Sequence, residues 1–122
     1  MQYLLLAYGD EQQLDMLSTS QRDALASACQ DNDEMLRRSG HLLAAQSLHS
    51  SHSAATVRML NGKLSVDEGP AAAINEQLIG LFFISARDLN EAIQVAATMP
   101  QARGGPIEVR PLVEQPPAPS SR

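Results

Sequence analysis

Apolar residues run almost without a break from Tyr3 to Tyr8, and Gly9-Asp10 ends the run. A stretch that short and continuous predicts a central β-strand over residues 2–8, buried on both faces. Leu14 and Leu17 in the polar connection that follows allow a short turn of helix. Ser18 or Ser20 then offers a hydroxyl to an orphan first-turn amide, which predicts a helix to about Ser39, with Gly40 as its stop. Leu25, Cys29, Asn32 and Leu36 share one face of that helix, with Ala28 and Met35 beside them. Asn32 interrupts the apolar stripe. Because an unpaired buried amide is costly, it belongs either at a wet interface or beside a specific partner. Asp33 and Arg37, and Glu34 and Arg38, stand four apart on the other side, so the acidic run Asp31-Asn32-Asp33-Glu34 reads as a solvated face rather than a metal site.

Leu42-Leu43-Ala44-Ala45 and Ala55-Thr56-Val57-Arg58-Met59-Leu60 read as strands around a polar loop. Asn61-Gly62 is the strongest local signal in the chain, since both residues tolerate positive φ and so close a two-residue hairpin between residues 57–60 and 63–66. Asp67-Glu68-Gly69-Pro70 makes a second break, and residues 78–86 give another buried strand. Asp88-Leu89-Asn90-Glu91 resembles a capping box with Asp in place of Ser or Thr. The helix it opens is expected to bury Leu89, Ala92, Ile93, Ala96 and Ala97, and Pro100 ends it. Ile107-Glu108-Val109-Arg110 alternates as a half-exposed strand does. Four of the seven prolines fall in the last twelve residues, so the domain is expected over 1–113, with a proline-rich disordered tail over 114–122.

The order is strand, helix, strands, strand, helix, strand. It predicts an α+β fold: a ferredoxin-like βαββαβ frame with an inserted β-hairpin. Two helices cover only one face of such a sheet, so a second copy of the chain is expected on the other.

Composition narrows the partners. A formal charge of −5, scattered basic residues, no Trp and four Phe and Tyr residues in all argue against a nucleic-acid surface. No apolar run approaches the ~20 residues of a membrane span, and the start of the chain lacks the basic residues of a signal peptide. A single cysteine suits a reducing compartment, so a cytoplasmic protein is expected.

Several runs carry a family resemblance: Met1-Gln2-Tyr3-Leu4-Leu5-Leu6-Ala7-Tyr8-Gly9-Asp10, Ala55-Thr56-Val57-Arg58, Asn61-Gly62-Lys63, Gly69-Pro70, Glu76-Gln77-Leu78, Asp88-Leu89-Asn90-Glu91-Ala92 and Ile107-Glu108-Val109-Arg110-Pro111. In order and spacing, over residues 1–113, they are similar to YCII-related proteins of the DGPF-type branch. The resemblance implies a dimeric α+β barrel and, through family members encoded beside extracytoplasmic-function sigma factors, an alternative role as a regulatory or protein-interaction module. The branch pattern Asp-Gly-Pro-Phe reads Glu68-Gly69-Pro70-Ala71 here, and the Glu and Lys that follow it are Ala73 and Asn75. Where YCII proteins carry a His and an Asp proposed to act in catalysis, this chain aligns Cys29 and Met99. Neither replaces its counterpart as an acid–base pair.

The expected function is therefore binding, with transformation left open, of a small polar metabolite near the Glu68-Gly69-Pro70 turn. Glu68 reads two ways: a carboxylate beside a rigid turn that anchors a ligand, or a solvated turn residue. Glu76 and Gln77 either line the same pocket or orient the strand that follows. Arg58 and Arg110 either hold a ligand carboxylate bidentately or pair with neighbouring acids. His49 and His52 show an H-x-x-H spacing in a Ser-rich loop without a third ligand in register, and no metal or cofactor is expected. Cys29 reads as a small buried hydrophobe, having no nearby base to stabilise a thiolate.

Overall fold

The computed structural model describes residues 1–72 and 75–114. β1 (Gln2–Asp10) lies between β5 (Glu76–Ser85) and β6 (Ile107–Pro111), and β2 (Leu42–Ser47) flanks β5, giving an antiparallel sheet in the order β2-β5-β1-β6. α2 (Thr19–Arg38) carries the chain from β1 across to β2, and α3 (Leu89–Thr98) from β5 to β6. The protein is α+β, and this order with its two helical crossovers is consistent with a ferredoxin-like fold. No helix among the described residues is long and apolar enough to cross a membrane.

Local chemistry sets the element ends. Asp10 caps α1 (Glu11–Asp15) by accepting from the amides of Gln12 and Gln13. Ser18, rather than Ser20, caps α2: its hydroxyl accepts from the Gln21 amide at 3.1 Å while Gln21 Oε1 accepts from the Ser18 amide at 2.9 Å. At the other end Gly40 takes φ +82°. The amides of Gly40 and His41 then donate back to the carbonyls of Arg37 and Leu36, which completes a Schellman stop. At α3 the box is half made. Asp88 accepts from the Glu91 amide, but Glu91 reaches the amide and guanidinium of Arg87 rather than the Asp88 amide.

The core lies on one side of the sheet. Tyr3, Leu5 and Ala7 of β1 and Phe82 and Ile84 of β5 meet Leu36 of α2 and Ala92, Val95 and Ala96 of α3, with Met99 just beyond. This corrects the face expected for α3. Ala92, Val95, Ala96 and Met99 point inward, while Leu89, Ile93 and Ala97 are exposed. The two alanines lack the bulk to hold the helix off the sheet, so the stripe through them goes inside.

The expectation that β1 is buried on both faces is also corrected within the single chain. Leu4, Leu6 and Tyr8 alternate with the core residues and are only half-buried. Leu4 stands opposite Phe83 and Leu6 opposite Leu81, on the face away from the helices.

β3 (Ala55–Leu60) and β4 (Lys63–Glu68) form a separate two-stranded sheet closed by Asn61 at φ 53° and Gly62 at φ +77°. Val57 pairs with Val66 and Met59 with Leu64, so all four share one face. Their exposures are 60%, 58%, 64% and 65% in that order. The proline-rich tail expected over 114–122 lies outside the described residues except for Glu114, and so does Ala73 of the altered family segment.

Candidate functional site

The residues singled out near the Gly69-Pro70 turn do not converge as a set. Glu68 ends β4 opposite Ala55 and is exposed. Gly69 has φ +97°, its amide donates to the Ala54 carbonyl at 2.7 Å, and its own carbonyl accepts from Thr56 Oγ1 at 2.8 Å. That pinned left-handed turn accounts for glycine there. Arg58 lies on the polar face of the hairpin opposite Ser65. Arg110 donates to Glu108 at 3.1 Å on the same strand, and Glu108 also accepts from the Tyr8 hydroxyl at 3.0 Å. Glu76 opens β5 opposite Asp10 and is exposed.

Pro70 and Gln77 do come together. With Asp10, Glu11, Ser51, His52 and Asn75 they line a cleft of about 270 Å³. Gln77 Nε2 donates to the Ala72 carbonyl at 3.1 Å. Glu11 accepts from both the amide and the hydroxyl of Ser51, and those bonds hold its carboxyl below the usual carboxylate value. The negative charge of this cleft is thus already satisfied by protein donors.

A larger space lies elsewhere. Small residues at Ala7, Ala26 and Gly80 leave a cavity of about 610 Å³ between α2 and the sheet, bordered by Leu14, Leu17, Leu25, Ile79 and Phe82. That volume falls within the range of small-molecule pockets, roughly 300–1,000 Å³. Cys29, Asp33 and Gln101 supply polar atoms to its wall. Asp33 Oδ1 and Gln101 Oε1 are buried and have no hydrogen-bond partner among the described residues. At the exposed rim, Arg22 donates to the carbonyls of Leu17 and Asp15, while Glu34 and Arg37 face solvent.

Burial pushes the Asp33 carboxyl above its ordinary value, against the smaller opposing pull of Arg37. Burial, and then the charge of Asp33, push the Cys29 thiol up as well. Cys29 is therefore a neutral wall group rather than a thiolate nucleophile.

Asp33 is the residue that the sequence pattern misplaced. It sits one helical turn beyond Cys29 along the same flank, and the solvated-face reading gave way to a half-buried position. The available signal was that i,i+4 step from an inward cysteine, masked by the charges on either side.

A stability test follows from the burial. A raised carboxyl pKa makes ionisation of Asp33 a cost to the folded state at neutral pH. That cost fades as pH falls through the folded pKa and is gone below the unfolded value of 3.8. Asp33→Asn is expected to stabilise the fold at pH 7 and to change almost nothing near pH 3. Urea unfolding at the two pH values measures this, and a variant less stable than the parent at pH 7 would contradict it.

An antiparallel sheet with two helical crossovers on one face defines the class: an α+β protein consistent with a ferredoxin-like fold. The sequence places this chain more closely: it belongs to the YCII-related family, whose domain matches residues 1–115. An uncharacterized protein of Rhizobium meliloti (strain 1021) is 31% identical over 114 residues, which is 92% of each chain.

Proposed function

We propose that the protein binds, and leaves room to transform, a small metabolite in the cavity between α2 and the sheet, and that it works as a cytoplasmic homodimer of the DGPF-type branch. One observation carries the reading: the 610 Å³ cavity has mainly apolar walls yet is bordered by Asp33 and Gln101, each with one buried oxygen that has no partner among the described residues. Unsatisfied buried acceptors cost folding energy, which fits a site whose partner is a ligand. Cys29, at the position where the family resemblance puts a histidine, lies on this wall. Any proton transfer in the cavity falls to Asp33, whose raised pKa suits a general acid or base. The cleft beside Pro70, where the family resemblance points, is another place for a ligand. It is smaller, and its Glu11 is already engaged.

Affinity selection from a metabolite mixture, read by mass spectrometry, tests the assignment. Ligands are expected to be retained by the parent and by Glu68→Gln, and lost by Ala26→Phe, which fills the cavity. Retention by Ala26→Phe with loss in Glu68→Gln would move the site to the turn.

The homodimer reading rests on the half-buried sheet face around Leu4, Leu6 and Phe83 and on the apolar face of the hairpin. A two-stranded ribbon is marginal by itself in water, so that face needs cover. Light scattering at tens of micromolar should give twice the chain mass, with at least ~1,200 Å² buried. A monomer there would contradict it. The alternative of a protein-interaction or sigma-factor-linked regulatory module draws on the same hairpin face. It gains if Met59→Asp leaves the dimer intact.

A further inference from the structure

We propose that the cavity between α2 and the sheet selects ligands carrying a protonated amine on an apolar body, with the Asp33 carboxylate receiving the ammonium group. The inference deepens the ligand-binding reading above and rests on it. Four charged side chains face the cavity: Arg22, Asp33, Glu34 and Arg37. Three of them are exposed, where water screens them, and Asp33 is not. Arg22 is further occupied by two main-chain carbonyls at 3.3 and 3.0 Å. Glu34 and Arg37 are exposed at the rim, and the pull of Arg37 on Asp33 is smaller than the effect of burial. The field inside is therefore that of the half-buried carboxylate, and a charge in low dielectric acts more strongly than the same charge in water.

The partner chemistry follows. A carboxylate only accepts, so it needs donors, and an ammonium group brings three donors with the compensating charge. Gln101 lines the same cavity, and because its amide carries both a donor and an acceptor it does not set the sign of a ligand's charge. Leu25, Ile79 and Phe82 supply apolar walls for the rest of the molecule. An anionic ligand would instead place like charges together in the same space.

Three indoles of matched size test this: tryptamine, indole-3-ethanol and indole-3-propionate, respectively cationic, neutral and anionic at pH 7. The chain contains no Trp, so indole emission reports the probe without protein background. Titration is expected to show tryptamine binding at least about tenfold tighter than indole-3-ethanol, and indole-3-propionate weakest, as a charge-assisted bond outweighs a neutral one. In Asp33→Asn, folding being checked by circular dichroism, the tenfold preference should fall to near one. Competition by Ala26→Phe, which should abolish binding of all three, locates the probe. Equal binding of tryptamine and indole-3-ethanol to the parent, or tighter binding of the anion, would overturn the amine preference and leave the cavity reading standing. A preference that survives Asp33→Asn would overturn the role of Asp33. No binding by any of the three at millimolar concentration would overturn both readings together.

Discussion

Gly105→Ala is expected to cost about 2–4 kcal/mol of folding stability, the range for a steric insertion that side-chain movement cannot absorb. A Cβ at residue 105 would lie 2.1 Å from the Tyr8 carbonyl oxygen and 3.0 Å from its carbon, so the obstacle is main chain. Relief requires the entry to β6 to move away from β1. That movement would break the bond from the Tyr8 amide to the Pro106 carbonyl, 3.0 Å long, and disturb the Ala7–Ile107 pairing next to it. Gly104→Ala is the control. A Cβ there meets only the Gln101 carbonyl at 3.9 Å, and the change should stay within ~0.5 kcal/mol. Urea unfolding of the two variants should separate them clearly. Equal stabilities would show that the β6 entry is looser than its geometry implies.

A second large effect is expected at Ile84. Its side chain is 0% exposed and faces the helices between Leu42 and Tyr3, so Ile84→Ala should lose about 2–5 kcal/mol from lost burial and the cavity left behind. Ile93→Ala removes the same atoms from a residue that is 49% exposed, and should cost no more than about 1 kcal/mol. Comparable losses at both positions would mean that Ile93 is covered in the working assembly, and would point to a partner on the outer face of α3.

These two isoleucines mark how far the fold could be read from residue order. The strands were legible because apolar runs such as Tyr3 to Tyr8 and the Asn61-Gly62 turn depend on local chemistry. The helices were legible for the same reason, through a serine cap at Ser18 or Ser20, of which Ser18 is the one used, and through Gly40. The phase of α3 was not. Apolar residues surround that helix, so two stripes compete, and close approach to the sheet through Ala92 and Ala96 decides between them. Tertiary packing of this kind has no signal within a short window.

The site was legible only in part. Gly69 and Pro70 were picked out as a turn, which is held by Thr56 and Ala54, while Glu68 ends β4, Arg58 lies on the polar face of the hairpin and Arg110 lies on β6. The cavity under α2 arises from three small residues distant in sequence, Ala7, Ala26 and Gly80, and such a coincidence appears only once the elements are packed. Asp33 looked like a surface charge because Arg37 and Glu34 bracket it. Its half-burial without a partner for Oδ1 among the described residues is a local departure from what stability favours, and departures of that kind concentrate where a protein meets a ligand.

The most direct measurement is a crystal of the full chain soaked in a broad metabolite mixture. The account predicts ordered density for a small molecule between α2 and the sheet, with a polar group against Asp33 and its apolar part on Ile79 and Phe82. Density confined to the cleft beside Pro70, with only water under α2, would contradict it.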